Sequence, residues 1–151
     1  MKSIRAVLWI AAGLAVGYLV VWLVPAFFMP EPDPRSKEFL GKVAAEINQS
    51  VPVMIDKETE LLPATIAEGM LIYNYRLISY SVTQLDRKKF AAAARQQVTE
   101  GACGRLETRE GFLKKGVTLR YSYYDKDKQP IATIDVTPAD CEFKDRAENL
   151  P

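Results

Sequence analysis

One uncharged stretch near the start of the chain constrains everything that follows. Ala6 to Met29 reads AVLWIAAGLAVGYLVVWLVPAFFM, 24 positions without a formally charged side chain. At about 1.5 Å rise per residue such a helix reaches roughly 36 Å, enough to cross a ~30 Å hydrocarbon core with some tilt. A cleaved signal peptide fits less well, because signal cores run about 7–15 residues and end in small side chains. This run ends in Val24-Pro25-Ala26-Phe27-Phe28-Met29-Pro30. The expectation is an uncleaved anchor over 6–29 behind a short cytoplasmic stub, 1–5. Lys2 and Arg5 precede the span, and Glu31 and Asp33 follow it. By the positive-inside rule the N-terminus is cytoplasmic and the rest is exported, as an inner-membrane protein with a periplasmic domain. Trp9 and Trp22 lie toward the two ends, where indole rings favour the interface. Gly13 and Gly17, four apart, form a small-xxx-small face that could bring two such helices together as a homodimer.

The abrupt change after Met29 reads as a spacer and one domain. Pro30-Glu31-Pro32-Asp33-Pro34 alternates proline with acid, which gives a stiff extended linker over 30–35. About 115 residues then remain, one ordinary domain, taken as 36–141 with a polar tail at 142–151. Setting aside Lys2 and Arg5 leaves 18 of the 20 basic residues against 19 acids, a net charge near −1. No basic stripe is present, so nucleic acid is not an expected partner. Histidine is absent, which removes the commonest general acid/base and metal ligand. No cofactor, metal site or catalytic residue is expected, and the chain reads as a non-enzyme. The two cysteines, Cys103 and Cys141, both fall in the exported part. In an oxidising compartment they read as one disulfide.

Periodicity places the elements. Phe39, Leu40, Val43, Ala44 and Ile47 share one face of a helix over about 36–50, with Ser36 as its N-cap. An edge strand is expected over 53–62, a turn at Ala67-Glu68-Gly69, and a stronger strand over 70–82. Asp86 is the N-cap of a second helix, with Leu85 and Phe90 placed as a hydrophobic staple and Gly101 as its stop. A third helix spans about 106–115 and ends at Gly116. The clearest hairpin pairs Val117–Tyr124 with Ile131–Val136 across Asp125-Lys126-Asp127-Lys128-Gln129-Pro130. Gly69-Met-Leu-Ile-Tyr-Asn-Tyr75 echoes Gly116-Val-Thr-Leu-Arg-Tyr-Ser-Tyr123, each a glycine-opened strand holding Tyr-x-Tyr. The expected fold is α+β: helix–hairpin–helix–helix–hairpin, with a four-stranded antiparallel sheet covered on one face by helices.

Three constellations invite chemistry. The turn Asp125–Pro130 starts like a calcium loop, but Pro130 stands at the sixth position and Val136 at the twelfth, so it reads as a charged turn. Asp56, Glu58 and Glu60 alternate along the first strand, which suits an edge guarded by charge better than a catalytic pair. Tyr73, Tyr75, Tyr121 and Tyr123 share strand faces with leucines and read as core under the helices. The opposite face offers Asn74, Arg76, Arg120, Ser122 and Tyr124, a composition that suits a protein partner. The functional expectation is a membrane-anchored, protein-binding module: an accessory or assembly component of an envelope complex, or an immunity or inhibitor protein. A small-ligand sensor is the alternative, weakened by the short stub before the span. A carboxylate-dependent envelope hydrolase comes third.

Overall fold

The computed structural model describes residues 32–143. The apolar stretch 6–29, with Gly13 and Gly17, and the tail from 144 lie outside the described residues. Among the described residues, no helix is long and apolar enough to cross a membrane.

The elements are α1 (Lys37–Asn48), β1 (Val53–Met54), β2 (Thr59–Ala67), β3 (Met70–Leu77), α2 (Arg87–Gly104), α3 (Leu106–Gly111), β4 (Thr118–Tyr124) and β5 (Pro130–Val136), with short 3-10 turns at Val82–Gln84, Leu113–Lys115 and Pro138–Asp140. Capping chemistry sets the helix starts. The Ser36 hydroxyl accepts from the Phe39 N–H at 3.2 Å, and Asp86 Oδ1 accepts from Lys88 and Lys89 N–H at 3.1 Å each. These satisfy donors that a helix N-terminus otherwise leaves unpaired. Helix α2 runs past Gly101 to Gly104, because Ala102 in its last turn is 2% exposed and packs into the core. The expected third helix breaks at Phe112 (φ −125°, ψ −65°) into α3 and a 3-10 turn, which Gly116 ends at φ +84°.

The sheet corrects the expected four antiparallel strands. It has five, in the order β1-β2-β3-β4-β5, and it is mixed, since β3 and β4 run parallel. Two causes account for this, one local and one long-range. The strand expected over 53–62 is two strands, because Asp56 Oδ1 accepts from the N–H groups of Glu58 and Thr59 at 2.8 Å each and turns the chain between them. And the long connection from Leu77 to Thr118 carries α2 and α3 across the sheet, a crossover that delivers β4 beside β3 in the same direction. The two hairpins therefore meet along a parallel seam. The strand expected over 70–82 stops at Leu77. Beyond it, Val82 N–H donates to Asp125 Oδ2 at 2.8 Å, tying that loop to the β4–β5 turn.

That seam explains the echo between the two glycine-opened strands. Thr118 N–H donates to the Gly69 carbonyl at 2.9 Å, and from there the pairs run in step: Leu71 with Leu119, Tyr73 with Tyr121, Tyr75 with Tyr123. Both glycines sit at positive φ (+64° and +84°), where other residues are strained. Their loops meet under Arg35; a Cβ on Gly116 would lie 3.4 Å from Arg35 Cδ.

Helices pack on one face of the sheet, α1 mainly against β2 and α2 against β5. The core between them contains Leu40, Leu71, Leu113, Val117, Leu119 and Val136, each fully buried. Truncating any of these leucines to alanine costs about 2–5 kcal/mol. Cys103 in α2 and Cys141 just beyond β5 form a disulfide across 38 residues, with Cα atoms 5.5 Å apart. The cross-link staples the helix that carries the crossover to the end of the last strand. Chain entropy gives it roughly 4 kcal/mol of stabilisation.

Candidate functional site: a tyrosine-floored groove

The helix layer does not cover the sheet evenly. Alternation sends Leu71, Tyr73, Tyr75 and Leu77 of β3, and Leu119, Tyr121 and Tyr123 of β4, to the helix side. At the end where the strands begin, α1 closes over Leu71 and Ala64. Toward the other end α2 lies on β5, and among the described residues no helix closes over the strip above the tyrosines. A groove of about 570 Å³ opens there, walled by α2 on one side and by Ile55, Thr59 and Leu61 on the other.

Its floor is a ladder of four phenol rings. Tyr73 stacks on Tyr121 with centroids 5.5 Å apart and planes at 17°; Tyr121 faces Tyr75 at 6.3 Å and 7°; Tyr75 stacks on Tyr123 at 5.2 Å and 21°. Phe90 of α2 closes the row edge-on against Tyr123 at 5.1 Å and 79°. These distances and angles are those that the aromatic quadrupole favours. The parallel register makes the ladder, because it puts one Tyr-x-Tyr directly beside the other. The wall is smooth, since Ala93, Ala94 and Gly101 lie along the same flank of α2 as Gln97.

Electrostatics distinguish this strip from ordinary core. The Tyr80 hydroxyl, elsewhere, donates to Glu58 Oε1 at 3.1 Å. Among the described residues the four ladder hydroxyls have no such partner, yet none is a sealed polar atom, so they open into the groove. Burial pushes the Tyr73, Tyr75 and Tyr121 phenols above their ordinary value, and Tyr123 up to about 12. All four stay neutral donors at physiological pH. Arg105, at the junction of α2 and α3, lines one end, and its charge reaches Tyr73, Tyr75 and Tyr121, partly opposing the rise.

The residues expected to bind a partner lie together on the other face, and they contact one another. Arg120 Nε and Nη2 donate to the two Asp135 oxygens at 2.7 Å each. Arg76 Nη2 lies 2.6 Å from Glu60 Oε2, though off the hydrogen-bonding direction. Asn74 Nδ2 donates to the Pro63 carbonyl at 2.8 Å, filling the bulge where the β2–β3 register shifts. Ser122, buried, pairs with Asn74 and Thr133 across the strands, and Tyr124 with Arg76. The Arg120 bond holds the Asp135 carboxyl below its ordinary value.

The other constellations resolve into structural roles. Asp56, Glu58 and Glu60 do not share a strand face: Asp56 caps the β1–β2 turn, Glu58 accepts from Tyr80, and Glu60 faces Arg76. Asp125 is buried, and its carboxylate accepts from the N–H groups of Val82, Asp127 and Gln129, all at 2.8 Å. Desolvation alone would raise its pKa; those bonds and Lys126 outweigh it and hold it low. Among the described residues no group of three or more His, Cys, Asp or Glu side chains is placed to hold a metal ion.

The groove is the feature that sequence reading misses. Its tyrosines read as core, and they are half core: stacked below, open above. The signal lay in the count of large rings on two central strands against a helix layer with an alanine-rich flank.

No protein-family model and no curated protein matches the sequence. Solved structures do share the fold. A candidate secreted protein from Pseudomonas aeruginosa is 23% identical, with a TM-score of 0.64 over 76% of this chain and 99% of that one. EpsS, the pilotin of the Vibrio vulnificus type 2 secretion system, is 12% identical, with a TM-score of 0.56 over 72% of this chain and 93% of its own. AspS, the type II secretion system pilotin of Vibrio cholerae, is 17% identical, with a TM-score of 0.54 over 70% and 91%. Identities this low establish one thing: the chain has the α+β fold that these proteins share.

Proposed function

We propose that the chain is a non-enzymatic accessory protein of an envelope complex, and that it holds a protein partner in the tyrosine-floored groove. The observation that carries this reading is the groove itself: aromatic below, smooth along its wall, and open to solvent. A binding surface gains most from rigid, amphipathic rings that lose little entropy on contact. Two pilotins of secretion systems share the fold, which supports an assembly role over an inhibitor role. The open form of the groove favours a polypeptide segment over an enclosed small ligand.

On the same proposal, residues 6–29 anchor the protein in the inner membrane, 30–35 space it from the bilayer, and the domain works in the periplasm. Gly13 and Gly17 would then be the contact of any homodimer through the span.

Site-directed photocrosslinking in native membranes tests the reading. A photoreactive residue at Gln97, inside the groove, should capture one discrete heterologous protein. One at Tyr124, on the open face, should not. Capture from Tyr124 alone would move the site to the open face, and capture of neither would remove the protein-binding reading.

A further inference from the structure

The groove has donors in excess. Four phenol O–H groups line its floor without a partner among the described residues, and Arg105 brings up to five N–H donors to one end. Arg105 is exposed at the start of α3, and no ion pair holds its guanidinium among the described residues. Among the described residues the only other charged one lining the groove is Asp56, and its Oδ1 already accepts two backbone N–H groups in the β1–β2 turn. The walls add apolar carbon: Phe90, Ala93, Val98 and Leu61. A cation beside neutral phenols whose hydroxyls bond to none of the groove's own acceptors among the described residues favours an anionic acceptor on the occupant.

Resting on the reading that a protein occupies the groove, we propose that it selects a segment bearing a carboxylate side chain, which docks between Arg105 and the hydroxyls of Tyr73, Tyr75 and Tyr121. Apolar residues of the same segment lie against the rings and the alanine flank of α2. The phenols supply neutral hydrogen bonds and Arg105 supplies the charge, so the site discriminates glutamate or aspartate from their amides. Hydrogen bonds to charged groups are the strong class, and a tenfold preference requires only one such bond of ordinary strength.

The test uses the full chain in phosphatidylcholine nanodiscs and a phage-displayed library of random peptides. Clones are kept if they bind the native protein and lose binding to Ala93→Trp, an exposed position whose new side chain fills the groove. Those clones should carry Asp or Glu at one fixed position beside apolar residues. Changing that acid to its amide in a synthetic peptide should weaken binding at least ~10-fold. Selection on Arg105→Glu, whose melting curve should match the native one, should replace the acid with Lys or Arg. Groove-dependent clones without a fixed acid, or an unchanged preference on Arg105→Glu, would overturn the selectivity and leave protein docking standing. Failure to recover any clone sensitive to Ala93→Trp would bring down both. Oleate that displaces the selected peptides and binds more tightly than they do would assign the site to a lipid anion instead.

Discussion

On the open face of the sheet, every charged side chain in the central rows meets a counter-charge across the strands: Arg120 with Asp135, Arg76 with Glu60. On the helix face, four phenols stack on one another and leave their hydroxyls without a partner among the described residues. The face that looks like a binding surface by composition is charge-paired across its strands, although Glu60 Oε2 and Arg76 Nε are buried without a hydrogen bond among the described residues. The face that looks like core is partly open. Available capacity, and not polarity, marks a site: a polar group already paired gains little from a partner, whereas an unpaired donor in an aromatic trough gains the bond and the burial together.

The largest expected effect breaks this comparison if it fails. Ala93→Trp should abolish capture of the partner at Gln97, while Tyr124→Ala should leave capture unchanged, both with nearly native melting temperatures. Next in size is stability. Tyr121 is 8% exposed and stacks between Tyr73 and Tyr75, so Tyr121→Ala should cost about 3 kcal/mol in urea unfolding. Tyr124→Ala should cost less than about 1 kcal/mol. Equal costs would mean that the ladder is not the support of the sheet.

Much of this fold was legible because local chemistry and tertiary packing agree. Ser36 and Asp86 cap where their side chains say they should, Gly116 stops where a left-handed residue is needed, and Cys103 meets Cys141. The alternation in Leu71–Leu77 and Leu119–Tyr123 assigned the helix face correctly. What failed was mainly non-local. Nothing within β3 or β4 states whether they pair parallel or antiparallel; the crossover between them decides, and it is 40 residues of helix and turn. The β1–β2 split, by contrast, is local: it turned on one carboxylate, Asp56, accepting from the N–H groups of Glu58 and Thr59 just ahead of it. The groove was hidden for a further reason. Alternation tells which way Tyr73 points, but not whether α1 or α2 extends far enough to cover it.

Alkaline titration sharpens the same contrast. The ladder phenols ionise late because the folded state disfavours their charged form. Their folded pKa values lie above the ordinary value near 10, so the unfolded chain loses those protons first. The stability they contribute is therefore whole below about pH 9, falls as pH rises through 10, and continues to fall through the Tyr123 value of about 12. Tyrosinate absorbance near 295 nm should rise for these rings together with loss of the folded circular-dichroism signal. Tyr121→Phe should make the alkaline loss shallower. Ladder ionisation that precedes unfolding would show the rings to be more solvated than the stacking implies.

The smallest expected effect concerns the open face at acid pH. Asp135 is held low first by the Arg120 hydrogen bonds, against an opposing desolvation. A depressed carboxyl contributes stability that is present above its unfolded pKa, near 4, and is lost as pH falls through the lower folded value. The two side chains are 35% and 37% exposed, so solvent screens the pair and its worth at pH 7 is at most about 1 kcal/mol. Arg120→Met keeps much of the aliphatic packing and removes the charge. It should lower stability by less than that amount at neutral pH, and the difference from the native chain should close below about pH 4. A loss that persists into acid would mean that Arg120 acts through packing against its cross-strand neighbour Ile72 and not through its bonds to Asp135. In that case the open face is held by shape, and its charges would be as available to a partner as the phenols of the groove.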